Sequence, residues 1–412
     1  MKIGIVGGGI SGLVAMYLLS PRHEVTLFEA NNYVGGHTNS VQVNLEGGSW
    51  NIDTGFIVFN NRSYPNFVKL LNKLDVSSQP TNMSFSVSCE ETGLEYNGTS
   101  INKLFAQRRN LLSPAFYRMV LDIVQFNQRG LNEALRFDGA TVDEFLATHN
   151  YSTHFKDYYL VPMGASIWSC PHKTFLKFPI NFVMDFFSNH GMLQAWGRPL
   201  WRTIIGGSTR YVEALTASFV NRILLNTPVR AVRRLATHVD VKTDDAVHKF
   251  DEIILACHSD QALRIIEDPT ADETKLLKAF PYQTNDVILH TDTTLLPNTK
   301  RAWAAWNYRI PQKQQATASI TYHMNTLQSL TAPHEFCVSL NTTSRINPRK
   351  VLRRFTYHHP VYTTQRDSAQ RQHGNLVRVN RTSYCGAYWG YGFHEDGMNS
   401  ALAVCRAFGE SL

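Results

Sequence analysis

The chain has 412 residues, of which 43% are hydrophobic, 11% aromatic and 18% charged, and its formal net charge is +7. This length allows two or three domains with large cores, and the composition excludes a disordered or fibrous chain. The six cysteines are scattered without a CxxC pair, so neither a disulfide framework nor a metal site is expected. The sequence contains no apolar run of about 18 residues and no long basic run, so we expect a cytoplasmic protein without a nucleic-acid partner.

The first predicted elements are a strand, a glycine turn and a helix. Lys2–Val6 is an apolar run with β-branched residues, and a helical run begins at Leu13. The turn between them reads G-x-G-x-x-G, in which glycines let backbone N–H groups approach a pyrophosphate at a helix N-terminus. The five glycines within 3–19 argue against a signal peptide. The predicted cofactor-binding residues of this turn are Gly7, Gly9, Ile10, Ser11 and Gly12.

The second predicted strand, His23–Glu29, ends in an acidic residue. A carboxylate at this distance from the glycine turn accepts hydrogen bonds from the ribose hydroxyls of an adenosine and disfavours a 2′-phosphate. A second glycine pair follows directly, as expected if a diphosphate needs further close backbone approach. The predicted cofactor-binding residues of this segment are Glu29, Ala30, Gly35, Gly36, His37 and Thr38.

These motifs resemble the FAD-dependent amine oxidase, protoporphyrinogen oxidase and phytoene desaturase superfamily, whose members carry the dinucleotide fingerprint, an acid and a Gly-Gly-Arg-like stretch. His37 stands where the family usually has arginine, so a hydrogen-bond donor replaces the usual charged contact to the pyrophosphate. The resemblance implies that FAD is the cofactor and that Asn51–Phe56 brings the chain back beside the flavin. It adds Thr54, Gly55 and Phe56 to the predicted cofactor-binding residues.

The middle of the chain resembles the second FAD-domain segment of this family. A glycine turn at 206–210 precedes an amphipathic helix, and short strands follow. The predicted strands cover 223–225, 228–232, 238–243 and 250–257. The resemblance implies that Val229 holds the adenine through its backbone and that Ala256 and Cys257 lie near the dinucleotide.

The C-terminal segment is predicted to form a strand at Thr382–Gly386, a glycine-aromatic loop and a helix at Met398–Phe408. By resemblance, the start of this helix points at the pyrimidine edge of the flavin, where its dipole stabilises the reduced cofactor. The resemblance places His394, or else Phe393, against the flavin ring. The predicted cofactor-binding residues here are Gly386, Glu395, Asp396, Gly397 and Met398.

The expected fold is α/β, with a Rossmann-like FAD-binding domain of the GR2 type and an interleaved α+β substrate domain. The FAD-binding domain is predicted to comprise 1–75, 205–262 and 375–412, and the substrate domain 76–204 and 263–374. In the substrate domain, helices are predicted at 113–136, 141–149 and 179–190, and strands at 283–291, 301–308, 317–323 and 335–341.

Three residues are candidates for catalysis: His190, Tyr322 and His394. The resemblance implies hydride transfer to flavin N5, with the protein orienting an apolar carbon and excluding water. His394 is the candidate to position the substrate or to accept a proton after hydride loss. Amine oxidases of this family often hold a lysine near N5, but matching the motifs places no lysine of this chain there, and neutral aromatic residues are abundant instead. These aromatic residues are Trp168, Trp196, Trp201, Trp303, Trp306, Tyr308 and Tyr322.

More closely, the chain resembles a bacterial group of FAD-binding proteins encoded beside cyclopropane-fatty-acyl-phospholipid synthases. The stretches that carry this resemblance are 53–60, 189–193, 198–202 and 392–397. The group includes flavoproteins implicated in desaturating methylated fatty acyl chains on the way to furan fatty acids. The resemblance therefore implies an apolar lipid or acyl substrate, a methyltransferase partner and peripheral contact with the inner face of an anionic membrane. Helices 113–126 and 179–187 are the candidates for that contact.

Three other functions stay open at the level of the sequence. A flavin amine oxidase would need a carboxylate or an aromatic cage in its pocket. A fatty-acid double-bond isomerase would return the hydride to another carbon and leave the product mass unchanged. A flavin-binding scaffold for a methyltransferase would not be reduced by any lipid.

Overall fold

The computed structural model describes residues 1–137, 139–194, 197–312, 319–363 and 365–412. The strands in chain order are β1 (Lys2–Val6), β2 (Glu24–Phe28), β3 (Ser40–Leu45), β4 (Gly48–Asp53), β5 (Val58–Asn60), β6 (Ser78–Pro80), β7 (Phe85–Cys89), β8 (Glu95–Asn97), β9 (Trp201–Ile204), β10 (Ile223–Leu224), β11 (Ala231–Arg234), β12 (Val239–Lys242), β13 (Val247–Phe250), β14 (Glu252–Leu255), β15 (Tyr282–His290), β16 (Trp306–Ile310), β17 (Ile320–His323), β18 (Cys337–Leu340), β19 (Val351–Pro360) and β20 (Thr382–Tyr384).

The helices lie mainly between these strands, and a π-helical turn at Lys156–Leu160 joins two of them, α6 and α7. In chain order they are α1 (Ile10–Leu19), α2 (Pro65–Lys73), α3 (Ile101–Leu104), α4 (Pro114–Ala134), α5 (Val142–Thr148), α6 (Thr153–Phe155), α7 (Val161–Ile167), α8 (His172–Phe175), α9 (Ile180–Asn189), α10 (Thr209–Thr216), α11 (Ser259–Ile265), α12 (Ala271–Leu277), α13 (Met324–Leu327), α14 (Arg366–Gln370) and α15 (His394–Arg406).

A five-stranded parallel sheet in the order β10-β2-β1-β14-β20 forms the nucleotide-binding part of the fold. Its strands come from the beginning, middle and end of the chain. The residues of β1 after Lys2 are buried, as expected for a strand with helices or strands on both faces. Helix α1 is apolar on almost all sides because it packs between this sheet and α15. The α/β, Rossmann-like fold class is therefore confirmed.

An antiparallel meander, β11-β12-β13, covers one side of the parallel sheet. Its alternating residues Val239 and Val241 are buried together with Phe28 and Leu255 of the sheet. The strand predicted at 228–232 is displaced in the structure, where β11 begins at Ala231. The turn before it lines a cavity described below, and its last residue, Arg230, donates a backbone hydrogen bond to the Lys242 carbonyl oxygen at 2.8 Å.

The second large sheet has seven strands in the order β19-β15-β18-β17-β16-β7-β8, and only β16 and β7 are parallel neighbours. Helices α4 to α9 build a separate, aromatic-rich core beside it. The sequence prediction missed β19, the longest strand, because its residues VLRRFTYHHP lack apolar alternation. Where the chain divides into two domains stays a prediction.

Several predicted boundaries differ from the structure. The strand predicted at 301–308 begins only at Trp306, because a 3₁₀ turn occupies 300–302. The helix predicted from Met398 begins four residues earlier, at His394. Residues 317 and 318 of the strand predicted at 317–323, and the indole of Trp196, lie outside the described residues.

A buried ion pair joins the meander to two other elements. The Arg234 guanidinium of β11 donates to the Glu273 carboxylate at the start of α12, and their side chains are only 5% and 2% exposed. The Tyr384 hydroxyl of β20 donates to the same carboxylate at 2.7 Å. Burial opposes ionisation of Glu273, but these hydrogen bonds outweigh it and lower its pKa. One charged cluster thus joins β11, α12 and β20, which are distant from one another in sequence.

We expect Arg234→Met to lower the free energy of unfolding by about 3 to 5 kcal/mol, because it leaves a buried carboxylate without its counter-charge. Chemical denaturation followed by circular dichroism measures the change. Arg210→Met, which removes an exposed ion pair to Glu213, is the matched control and should cost no more than about 0.5 kcal/mol. Equal effects of the two variants would contradict a structural role for the buried pair.

Candidate functional site

A cavity of about 1350 Å³ begins at the carboxyl edge of the parallel sheet and extends to the seven-stranded sheet. At the first end, the turns that follow β1, β2 and β14 supply glycine backbone and polar groups. At the other end, strands β16, β17 and β18 and helix α7 supply aromatic and aliphatic side chains. The cavity therefore has a polar end and an apolar end. Lining residues at the apolar end include Met83, Phe85, Met163, Ile167, Trp168, Trp306, Tyr322 and Leu340.

The glycine turn after β1 is packed against the turn after β14. A Cβ at Gly7, whose φ is +105°, would lie 2.8 Å from the Ala256 carbonyl oxygen, and a Cβ at Gly12 would lie 1.9 Å from the Gly7 carbonyl oxygen. Neither position accepts a side chain. A Cβ at Gly9 would meet no atom within 4 Å, so this residue borders open space at the start of α1. No side chain caps the first N–H groups of α1, which leaves them available to an anion.

Glu29 supports this turn from the end of β2. One carboxylate oxygen accepts a hydrogen bond from the Gly8 N–H at 2.8 Å, and the other accepts from the backbone and side-chain nitrogens of Asn31, both at 2.8 Å. The side chain is 7% exposed and lines the cavity, as do Gly8 and Ala30. Glu29 is the only carboxylate residue among the described residues that line this cavity.

The second glycine pair packs directly onto the first turn. The Gly35 N–H donates to the Gly8 carbonyl oxygen at 2.7 Å, and a Cβ at Gly36 would lie 3.2 Å from the Gly9 Cα. His37 follows at once and lines the cavity. Its Nε2 atom is buried and has no hydrogen-bond partner within the described ranges. Thr38 lies behind this surface, outside the cavity lining.

The segment 53–56 reaches the cavity because Asp53 anchors it. The buried carboxylate accepts hydrogen bonds from the Ser40 hydroxyl and from the backbone N–H and hydroxyl of Ser208. Burial raises its pKa to about 6 in spite of these bonds. The Thr54 hydroxyl lies 2.8 Å from the Tyr357 hydroxyl of β19. Thr54, Gly55 and Phe56 consequently line the cavity.

His394 is held in a fixed, neutral state. Its ring stacks on Phe56 at 3.7 Å with an interplanar angle of 7°, and its Nε2 lies 2.6 Å from the Tyr211 hydroxyl and 3.2 Å from the Thr38 hydroxyl. Burial lowers its pKa to about 3, with a smaller contribution from His37. An imidazole with this pKa is a poor proton acceptor, so positioning fits it better than general base catalysis. Tyr211, its main partner, was not predicted.

The carboxylates of Glu395 and Asp396 accept hydrogen bonds at helix starts, and the predicted contact of these residues with the cofactor stays a prediction. The Glu395 carboxylate accepts hydrogen bonds from the Asn66 and Phe67 N–H groups, both at 2.9 Å, and so caps α2. The Asp396 carboxylate accepts from the Phe393 N–H at 2.9 Å and caps its own helix, α15. Neither carboxylate lines the cavity, because both satisfy backbone groups at helix starts.

Gly397 and Met398 also lie outside the cavity lining. The Gly397 carbonyl oxygen accepts from the Ser11 hydroxyl at 2.7 Å, and Met398 is fully buried in the core around α1. These residues therefore join the starts of α1 and α15 instead of presenting side chains to the cavity. Gly386, two residues after the end of β20, does line it, as do Val229, Ala256 and Cys257.

The other two candidate catalytic residues line the cavity away from the glycine turns. His190 contacts the Phe186 carbonyl oxygen through Nδ1 at 3.0 Å and stacks on the Phe186 ring at 3.8 Å. Burial lowers its pKa to about 4. Tyr322 packs edge-on against Trp306 at 5.0 Å, and burial raises the pKa of its hydroxyl. The cavity thus contains all three candidates, and each is uncharged at neutral pH.

Part of the polar end was not predicted from sequence. His258 follows Cys257 directly, and β19 supplies Tyr357, His358 and His359. The position of His258 directly after Cys257, a predicted cofactor-binding residue, could have indicated that it lines the cavity. The residues of β19 gave none, because only the pairing of β19 with β15 places them at the cavity.

Comparison with known proteins gives one family over most of the chain. Residues 10–335 match the family of flavin containing amine oxidoreductases. A carotenoid phi-ring synthase of Streptomyces griseus is 26% identical over 283 residues, which cover 64% of this chain and 53% of that protein. A 4,4′-diapophytoene desaturase of Staphylococcus aureus strain Newman is 49% identical over 43 residues, 10% of this chain and 9% of that protein. The chain thus matches about half the length of the first relative.

Solved structures share the fold. Cyclohexylamine oxidase from Brevibacterium oxydans IH-35A aligns with a TM-score of 0.69 and 13% identity, covering 99% of both chains. A fatty acid isomerase from P. acnes that produces CLA aligns with a TM-score of 0.69 and 16% identity, covering 98% of both chains.

The polar end of the cavity fits FAD. The two glycine turns leave space that a Cβ would fill, uncapped N–H groups at the start of α1 suit a diphosphate, and Glu29 suits ribose hydroxyls. The buried, unpartnered Nε2 of His37 adds a polar atom in need of a ligand. The chain belongs to the flavin containing amine oxidoreductase family, and its cofactor is FAD.

Proposed function

We propose that this protein is an FAD-dependent desaturase that acts on a fatty acyl chain, methylated and carried on a phospholipid. The observation that supports this most directly is the chemical character of the cavity's apolar end. Its walls are aromatic and aliphatic. The only carboxylate residue of the described lining is Glu29, which lies at the end of β2 and supports the glycine turn at the other end of the cavity. An uncharged, elongated substrate fits such walls better than a cation does.

The cofactor, when bound, would accept a hydride from one substrate carbon and the proton that the neighbouring carbon loses as the double bond forms, so that FAD becomes FADH2. The residues of this chain then have three tasks. Trp306 and Tyr322 hold the acyl chain, Met163 and Trp168 exclude water around it, and His394 fixes the wall against which the reacting carbon lies. None of these tasks needs a charged side chain.

Two alternatives are less well supported. An amine oxidase would need a carboxylate or an aromatic cage for its amine group, and the described residues at the apolar end include aromatic rings but no carboxylate residue and no lysine. An isomerase of fatty-acid double bonds would use the same neutral walls, and one solved structure of the same fold is described as a fatty acid isomerase. Product mass separates these chemistries.

A surface beside the cavity supports lipid access. Ile101, Leu112 and Leu121 are 79%, 88% and 64% exposed, and Tyr117 and Val124 continue the outward face of α4. Exposed apolar clusters of this kind mark interaction sites. We name the set the α4 apolar face and define it as Ile101, Leu111, Leu112, Tyr117, Leu121 and Val124.

The charges around the α4 apolar face favour an anionic bilayer as its partner. The segment 98–136 contains six basic residues and two acidic ones. Asp122 is buried against Arg118, and Glu133 is partly buried beside His149. Basic side chains around exposed apolar ones are typical of interfacial membrane contact. The basic residues are Lys103, Arg108, Arg109, Arg118, Arg129 and Arg136.

The α4 apolar face is continuous along the chain with the cavity wall. Gly98 and Thr99 line the cavity, and Ile101 follows them at the start of α3. An acyl chain leaving a bilayer at this face would have a short path into the apolar end. The other predicted contact, 179–187, is unsuitable because α9 buries its apolar side chains. None of the described helices has the length and hydropathy of a membrane span.

We accordingly propose a cytoplasmic location with peripheral attachment to the inner face of the membrane. A methyltransferase remains the proposed partner, because a methylated acyl chain requires an enzyme that supplies the methyl group.

The first prediction concerns the substrate. Anaerobic mixing of the purified protein with phospholipids that carry methyl-branched acyl chains should bleach the visible flavin absorbance, and the lipid should lose two hydrogens by mass spectrometry. Met163→Glu, which places a charge in the apolar end, should abolish bleaching while FAD stays bound, and Met163→Leu should retain it. Bleaching by amines alone would overturn the proposal. An unchanged lipid mass would favour the isomerase, and no reduction by either class would favour a scaffold.

The second prediction concerns the membrane. Flotation with phosphatidylglycerol vesicles should recover the protein, with less recovery at high salt or with phosphatidylcholine vesicles. The double variant Leu112→Glu/Leu121→Glu should reduce recovery at least about tenfold. It replaces two apolar side chains that would insert into the bilayer with anionic ones. Val247→Glu, at another exposed apolar residue on the meander, is the matched control. Equal recovery of all three proteins would remove the α4 apolar face as the contact.

The third prediction concerns FAD retention. Glu29→Ala should lower FAD affinity at least about tenfold, because ribose contacts are lost and the Gly8 N–H loses its acceptor. The ratio of flavin to protein absorbance after dialysis measures this. Glu24→Ala, at the exposed start of the same strand, should leave the ratio unchanged. Full retention of FAD by Glu29→Ala would refute the predicted role of this carboxylate.

A further inference from the structure

Four histidines meet at the polar end of the cavity, and no role follows for them from the proposed reaction. The ring of His37 lies 5.3 Å from that of His359 and 6.4 Å from that of His258, and His258 lies 6.0 Å from His358. All four line the cavity. We call this set the histidine cluster.

The histidine cluster lies against the glycine turns. His37 follows Gly36, which packs on Gly9, and His258 follows the Ala256–Cys257 backbone, which packs on Gly7. Two of its members therefore sit on segments in direct backbone contact with the turn that suits a diphosphate. The pairing of β19 with β15 brings the other two to the same place.

Neighbouring side chains orient these rings. The Asn341 side-chain nitrogen donates to the Asn285 oxygen at 2.8 Å, so the Asn285 nitrogen donates to His359 Nδ1 at 2.9 Å. This leaves Nε2 as the nitrogen of His359 that carries a proton. His258 stacks on Tyr282 at 4.4 Å, and His37 lies 4.8 Å from the ring of Tyr357.

Among the described residues, no carboxylate pairs with a ring of the histidine cluster. Burial, followed by repulsion from the other histidines, lowers the pKa of His37 to about 4 and the pKa values of His258 and His359 to about 3. Each nearby carboxylate has its own partners, since Glu29 accepts from Gly8 and Asn31 and Asp260 pairs with Arg264. The titratable and charged groups around the cluster are Glu29, Tyr33, Cys257, Asp260, Arg264, Tyr282, Tyr357 and His394.

We propose that the histidine cluster binds the diphosphate of FAD in place of an arginine, and that one imidazole takes a proton from solvent as the cofactor enters. The buried Nε2 of His37, which has no partner among the described residues, is the atom best placed to donate to a phosphate oxygen. This inference rests on the placement of FAD in the cavity. The affinity of this chain for FAD then depends on pH, because protonation of one imidazole supplies the positive charge that faces the diphosphate.

The sign of the pH dependence follows from linkage. Without FAD, the rings of His37, His258 and His359 are neutral at neutral pH because burial and mutual repulsion lower their pKa values. A diphosphate beside them favours the imidazolium form and raises the pKa. FAD binding therefore takes up a proton between the free and bound pKa values, and affinity rises as pH falls through that window. One fully linked proton changes the dissociation constant about tenfold per pH unit.

Calorimetric titration of the FAD-depleted full-length chain with FAD tests this directly. Titrations at neutral pH in buffers of different ionisation enthalpy should give an uptake of about one proton per FAD. Flavin fluorescence should show weaker binding at pH 8.5 than at pH 6. His37→Arg should bind FAD with little proton uptake and a flat pH profile, because its charge is permanent. His37→Gln should bind weakly at pH 6 and approach the native chain at pH 8.5.

His154→Gln, outside the cavity lining, is the control and should behave like the native chain. Zero proton uptake by the native chain, or an undiminished pH dependence in His37→Arg, would overturn the proposal. Both results leave the proposed desaturase intact, because FAD still binds. A native chain that binds no FAD at any pH would instead remove the cofactor site on which both proposals rest.

Discussion

The backbone of the Gly7–Gly9 turn touches two other turns, and the site depends on these contacts. One neighbour is the Ala256–Cys257 backbone after β14, and the other is the Gly35–Gly36 pair after β2. A Cβ at Gly7 would clash with the Ala256 backbone and a Cβ at Gly36 would press on Gly9, so the absence of side chains lets three distant segments come within reach of one diphosphate. The positions of Glu29, His37 and His258 all follow from this contact.

Most ionisable groups around the cavity are neutral for one physical reason, their burial. Desolvation lowers the pKa of His394 to about 3 and that of His190 to about 4, so both rings are uncharged at neutral pH. Among the described residues, the apolar end has no carboxylate, and its lining is mainly aromatic and aliphatic, with Arg198 beside it. The polar end differs, because its histidines are uncharged only until an anion arrives.

The carboxylates of α15 illustrate how acidic side chains at a helix start can be engaged within the protein itself. Glu395 and Asp396 were predicted to bind the cofactor, yet both cap helices, because buried helix starts carry N–H groups that need acceptors. These two caps also affect the cavity wall. By fixing α2 and the start of α15, they fix Phe56 and His394, which stack on each other at the cavity wall.

The sequence by itself determined the first strand, the glycine turns and the acid at the end of β2, and the resemblance that these motifs carry pointed to FAD. These features depend on short-range patterns, in which a strand, a turn and a helix follow one another within about thirty residues. Only the tertiary structure decided the strand order of the parallel sheet, the partners of His394, the contact of Glu395 with α2, the exposure of the α4 apolar face and the histidine cluster. These features depend on long-range packing between segments far apart in the chain, which single-sequence periodicity does not encode.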